Sequence, residues 1–266
     1  MPPVTSHSGR TEALEAAAFG AQVSRWPLPT PTTATQAWFR AVAAAGQGRY
    51  ASAHSDLATV RRSAPPGSPL LSLAHSTTGS LLRQLGWHAH ARGWDGRALR
   101  LAGNDPQARA DALVGLAADA LGMGRLGVSA TLLASAGAIV GGPSRLRVRL
   151  SWVSAELAMA AGDGVRAVRC AQEAIEAAAA ASPRHQIKSE VVLAAALCTT
   201  GDMVAARAVA DAALAATGQW NLVPLQWAIA SLLTGVGSQT HSAAQIVGLR
   251  DRAAELIAHR GGRFVD

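Results

Sequence analysis

Residues 122–127 read Gly-Met-Gly-Arg-Leu-Gly, GMGRLG. The string fits G-x-G-x-x-G, the turn that cradles the pyrophosphate of a dinucleotide. That turn needs a strand before it, a helix after it and an acidic residue about 20 positions further on. What precedes it is ARADALVGLAADAL, apolar at helical spacing, and the chain around position 145 reads SRLRVRL, with no Asp or Glu. The glycines are therefore read as a joint between two helices, and no nucleotide cofactor is expected.

Counting outward from Gly124 brings out a period of about 38 residues, marked by Gly48, Gly86, Gly124, Gly162 and Gly201. Seven positions before each glycine stand Ala41, Gly79, Ala117, Ala155 and Ala194. Five positions after each stand Ala53, Ala91, Ser129, Ala167 and Ala206, and twelve after stand Val60, Ala98, Ala136, Ala174 and Ala213. All of these except Val60 are Ala, Gly or Ser, so three columns share one size class. Small residues at fixed helical phases let two helix axes approach closely. A glycine in the turn between them takes positive φ without steric cost.

Helix starts share the period. Pro31, Pro69, Pro106, Pro143 and Pro183 each stand at nearly the same distance ahead of one of the five glycines, and Ser68, Asp105 and Ser182 precede three of them. A capping side chain followed by Pro at the first helical position is a start signal. The unit is then cap, helix of roughly 13–15 residues, Gly turn, second helix and loop.

This unit resembles the tetratricopeptide repeat. The resemblance covers about residues 34–217 and rests on Ala155, Gly162, Ala167 and Ala174 in one unit and Ala194, Gly201, Ala206 and Ala213 in the next. The first unit adds Trp38, Tyr50 and Pro65. The period of about 38 departs from the family's 34, Trp38 stands one residue late, and several consensus aromatics are absent. A degenerate sixth unit is centred on Gly237, with Ala230, Ser242 and Trp227 in phase, and SAAQIVGLRDRAAELIAHR closes the chain as an amphipathic capping helix. The expected fold is all-α: an α-solenoid of about five to six tetratricopeptide-like helix-turn-helix repeats, wound as a right-handed superhelix. Residues 1–33, rich in Ser, Thr and Pro at their ends, are expected to be a largely disordered leader with a short helix around TEALEAAAFGAQV. Residues 34–217 are five repeats, and residues 218–266 the sixth repeat with its cap.

Composition agrees with close-packed helices. Apolar residues make up 49% of the 266, aromatics only 4%, and Ala is the best helix former. The net charge of +7 comes almost wholly from arginine, Lys188 being the lone lysine among 24 basic residues. Such an excess suits an acidic or nucleic-acid partner, and it is equally the codon signature of a GC-rich genome. Cys170 and Cys198 form no metal-ligand spacing and no disulfide framework, in keeping with a reducing cytoplasm. No secretory signal opens the chain, and no apolar run of about 18 residues would cross a membrane.

Other motifs have bland readings. His88 and His90 in GWHAHARGWDG stand two apart, which on a helix turns them about 200° from each other, too far to share a metal ion. Arg145 and Arg149 share one helix face; a solvated face is the default for them, and an anion or nucleic-acid contact the functional alternative. No P-loop, G-x-S-x-G or H-E-x-x-H can be written, so neither enzyme activity nor a cofactor or metal is expected.

The resemblance implies a concave face lined by the first helix of each unit, with partner-facing positions about ten, six and three places before each glycine. These nominate Trp38, Ser76, Ser80, Arg83, Trp152 and Glu156, with Arg149 and Lys188 near helix starts. Trp38, Trp152 and Trp227 share one phase that either lines the groove or packs between units. The expected function is a cytoplasmic scaffold or adaptor for a protein or peptide partner, with self-association through the end faces open to it. A peptide- or ligand-sensing module of the kind carried by bacterial transcription regulators is the alternative, and Arg-mediated nucleic-acid binding a second.

Overall fold

The computed structural model describes residues 7–142 and 144–265. Among them every regular element is a helix: α1 (His7–Ala18), α2 (Ala34–Gly46), α3 (Tyr50–Ser63), α4 (Pro69–Gln84), α5 (His88–Leu101), α6 (Pro106–Gly122), α7 (Leu126–Gly137), α8 (Arg145–Ala160), α9 (Gly164–Ala178), α10 (Pro183–Thr199), α11 (Met203–Gln219), α12 (Val223–Val236) and α13 (Ala243–His259). Consecutive helices pack on each other in chain order, and α2, α4, α6, α8, α10 and α12 also meet in turn. None of the described helices is long and apolar enough to cross a membrane.

Seven of the described helices begin where a side chain takes up an orphan N–H group. Asp105 accepts from the Ala108 N–H at 2.7 Å, ahead of Pro106, and Ser68 accepts from Leu70 N–H at 3.3 Å, ahead of Pro69. Thr33, not the region of Pro31, caps α2, and Ser144 caps α8; Pro143 lies outside the described residues. Ser182 precedes Pro183 but makes no cap bond, because its hydroxyl is engaged by His185 Nδ1 at 2.7 Å. The first helices α4, α6, α8 and α10 run 16 or 17 residues, longer than the spacing suggested, because each fills the interval from cap to turn.

The turns end the first helices in one way. Gly124 has φ of 72°, which lets Arg125 N–H reach back to the Ala120 carbonyl at 2.8 Å and satisfy an orphan acceptor. The same bond is made by Arg49, Trp87 and Asp163. Every small-column position is buried, Val60 and Gly79 included. Their size sets how closely the paired helices approach.

The two ends of the chain meet. Arg260 donates from Nη1 to the Gln47 carbonyl at 2.7 Å, and Ala51 N–H donates to the Arg260 carbonyl at 2.9 Å. Beyond α13, Val265 N–H reaches the Leu85 carbonyl at 2.9 Å, and Trp87 Nε1 donates to the Arg263 carbonyl at 2.7 Å. Phe264 packs on Trp227 with ring centroids 4.4 Å apart. One apolar cluster consequently joins α2–α4 with Val223, Ala253 and Ile257 from α12 and α13.

The leader, expected to be largely disordered with a short helix around TEALEAAAFGAQV, contains one helix and four buried apolar residues among its described residues. Residues 7–18 form α1, and Leu14, Ala17, Ala18 and Val23 are buried. The fully buried Gln47 side chain donates to the carbonyls of Val23 at 2.9 Å and Arg25 at 3.0 Å. Ser, Thr and Pro content marks disorder only where no surface exists to cover the few apolar side chains. Here α2, together with Ile187 of α10 and Leu222, supplies it.

Candidate functional site

The inner faces of α2, α4, α6, α8, α10 and α12 enclose a cavity of about 520 Å³. The second helix of each pair adds only His88 and Ile257, and the segment after α1 adds Phe19. All eight nominated residues, Trp38, Ser76, Ser80, Arg83, Arg149, Trp152, Glu156 and Lys188, line it. The spacing rule also holds where it nominated nothing by name. Val114, Ala118 and Leu121 of α6 take the same three offsets ahead of Gly124 and line the cavity too.

The tryptophan question resolves into both alternatives at once. Trp38 and Trp152 are each only 8% exposed, so they pack as core, yet each turns an edge to the cavity. Their indole N–H groups are satisfied: Trp38 Nε1 donates to Thr77 Oγ1 at 3.0 Å and Trp152 Nε1 to Ser189 Oγ at 2.8 Å. His185 stacks on Trp152 at 5.7 Å, and Lys188 Nζ lies 4.8 Å from the Trp152 ring centroid. Trp227 is partly buried and lines the cavity beside α13.

Arg145 and Arg149 do not sit on a solvated outer face. Both line the cavity and share the Asp111 carboxylate of α6: Arg145 reaches it at 3.3 Å, and Arg149 pairs with it as well. Arg147, between them, is exposed. The i, i+4 geometry aims two guanidinium groups inward, where one carboxylate meets both. Arg184, at the start of α10, donates to the carbonyls of Val42 and Ala18, each at 2.9 Å, and so ties α10 to the ends of α1 and α2. Burial lowers Arg145, Arg149 and Arg184 to about 10, with Arg83 and Arg145 adding repulsion for Arg149 and Arg184 respectively. All three stay charged at neutral pH. Burial, reinforced by Arg184, Arg145, Arg149 and Lys188, pushes His185 down to about 2, so it is neutral.

On α4, Arg83 sits in a buried acidic socket. It pairs with Asp95 and, at 2.9 Å, with Asp119. Burial drives both acids upward, Asp95 to about 7, while Arg83 pulls them back. The socket exists because Gly79 and Gly115 face Asp95: a Cβ at either would fall on its carboxylate. His88 lies against Gly122 and faces the cavity, whereas His90 is exposed, so the pair splits to two sides of α5.

Sequence reasoning missed Asp111, Arg184 and His185. A signal for the first existed. Asp111, Arg149 and Lys188 share one offset from Gly124, Gly162 and Gly201, one further turn along the face that the nearer offsets define. Arg145 and Arg184 share the next offset, one more turn on. Comparison with protein-family models returns no match, and none of the curated proteins compared with the chain matches it.

Proposed function

We propose that the chain is a tetratricopeptide-like recognition module, a right-handed superhelix of about five to six helical hairpins that takes a short peptide or a small ligand into its central cavity. One observation carries the reading. Six successive first helices turn their inner faces on a single cavity of about 520 Å³, a size that suits a ligand largely buried on binding. Its wall combines apolar side chains with a few charged ones, the usual composition of a specific small-molecule site.

The return of α12, α13 and the tail onto α2–α4 and the turn at Leu85–Trp87 favours the sensing reading over the extended scaffold. An inner face walled at both ends admits a short segment better than the long run of an adaptor's partner. The arginines weigh against nucleic acid: Arg83, Arg145, Arg149 and Arg184 are turned inward and held by carboxylates or carbonyls instead of forming an outer stripe. Binding, and not catalysis, is the proposed activity.

The test is thermal stabilisation of the purified chain by a panel of short peptides and small metabolites, repeated on Ala118→Phe, which fills the cavity from α6. A true ligand at about 100 times its Kd adds about 2.7 kcal/mol of stability, and Ala118→Phe abolishes the shift. Stabilisation that survives Ala118→Phe unchanged would place binding elsewhere and end the proposal.

A further inference from the structure

The charges around the cavity are not evenly matched. On the α8–α10 wall, Arg145 and Arg149 share Asp111, and Lys188 stands 3.9 Å from Glu156. Arg184 meets two backbone carbonyls and no carboxylate among the described residues. On that wall four cations face two carboxylates; with the Arg83 socket of Asp95 and Asp119 included, five cations face four carboxylates. The carbonyl ends of α1 and α2 offset part of the Arg184 charge through the helix dipole. They do nothing for the second guanidinium drawn to Asp111. A guanidinium offers five N–H donors, and neither Arg145 nor Arg184 makes more than two hydrogen bonds. A half-buried excess of positive charge is costly unless an anion joins it.

The α4 wall supplies an independent sign of an absent partner. Ser76 Oγ and Arg83 Nη2 are buried and have no hydrogen-bond partner, and the same holds for Asp95 Oδ1, Asp119 Oδ2 and His88 Nδ1 beside them. Ser76 is 2% exposed, the Arg83 side chain is 10% exposed, and both residues line the cavity. Both atoms can donate, so they call for an acceptor such as a carbonyl. The lining also includes Phe19, Trp38, Leu81, Trp152, Met159 and Trp227, which suit an apolar body.

We infer that the ligand of this cavity is a carboxylate borne on an apolar body that also carries a carbonyl. The carboxylate seats against Arg145, Arg184 and Lys188, and the carbonyl accepts from Ser76 and Arg83. The inference rests on the cavity being the binding site. The same chemistry has two sources, the free C-terminus of a short apolar peptide and a small organic acid.

Displacement of Nile red, an uncharged apolar dye, tests the cavity and the anion separately. Two matched pairs serve as competitors: N-acetyl-Leu-Phe-Leu as acid and as C-terminal amide, and 4-phenylbutyrate against 4-phenylbutyramide. The expected result is dye binding, with an acid displacing it at least tenfold better than its amide in one pair. The pair that does so identifies the source. Lys188→Gln, at a 37% exposed side chain whose loss leaves the fold intact, and Arg145→Gln then bring acid and amide together. Acid and amide competing equally, or neither displacing bound dye, overturns the anion inference and leaves the cavity reading standing. Failure of dye and of every acid to bind the wild-type chain overturns both.

Discussion

Two glycine-to-alanine changes, in neighbouring helices, should move stability in opposite directions. Gly93 in α5 has nothing within 4 Å of a built Cβ. Gly93→Ala therefore gains about 0.5–1 kcal/mol of helix propensity with no steric charge against it. Gly79 in α4 offers the same gain, but its Cβ would land on the carboxylate of Asp95, which is fully buried and paired with Arg83. Asp95 must move, and it has nowhere to go: Gly115 flanks it on the other side, equally without room for a Cβ. Overpacking costs about 1–3 kcal/mol, and complete rupture of a buried pair about 3–5 kcal/mol. A partial displacement less the propensity gain leaves a net loss of about 2–4 kcal/mol for Gly79→Ala. For a chain of this size that lowers the melting temperature by roughly 5–15 °C, while Gly93→Ala raises it by roughly 2 °C. Urea unfolding followed by far-ultraviolet circular dichroism measures both. In an Asp95→Ala background, where Arg83 keeps Asp119, the penalty at Gly79 should vanish. If Gly79→Ala stabilises as Gly93→Ala does, or if its penalty is the same with and without Asp95, the socket account is wrong.

Three further outcomes are expected. His185, ordinarily near 6.5, is held to about 2, so the unfolded chain binds a proton there that the folded chain refuses; its stabilising contribution is whole above pH 6.5 and falls as the pH drops, by about 1.4 kcal/mol per unit. Asp95, raised from 3.8 to about 7, acts oppositely and loses stability as pH rises through that window, so acid melting should be shallower in His185→Gln and steeper in Asp95→Asn than in wild type; parallel curves would refute both assignments. Trp152→Ala should cost about 3–5 kcal/mol and Trp152→Phe about 1 kcal/mol, the indole hydrogen bond to Ser189; an unchanged melting temperature in Trp152→Ala would show that it lines the wall without packing. Deleting residues 261–266 removes the two hydrogen bonds that tie the tail to Leu85 and Trp87 and the Phe264–Trp227 contact, a loss of about 3 kcal/mol, and amide exchange should then quicken at Leu85–Trp87; unchanged exchange there would mean that the tail does not hold the ends together.

The helical class, the hairpin turns and the inward face were all legible in the chain, because each depends on neighbours close in sequence. A Ser or Asp before Pro starts a helix whatever surrounds it, as at Ser68 and Asp105. Positive φ at the turn between paired helices needs only glycine, as at Gly86, Gly124 and Gly162. Fixed offsets from those glycines then assign one helix face, which is why all eight nominated residues line a common wall. The offsets stopped too soon, and so Asp111 and Arg184 went unnoticed one and two turns further along the same face.

What distance along the chain conceals is which partner each charge finds and where the array ends. Arg149 reads as a surface arginine until α6, one whole unit earlier in the chain, places Asp111 against it. Arg184 meets carbonyls of Val42 and Ala18, and Arg260 meets Gln47, contacts between segments that no local pattern relates. The leader packs because α2 offers α1 a face and because Ile187 and Leu222 cover Val23. Local sequence dictates backbone conformation through sterics and capping; closure into a cavity, and the pairing of buried charges inside it, follow from desolvation among residues that only the folded chain brings together.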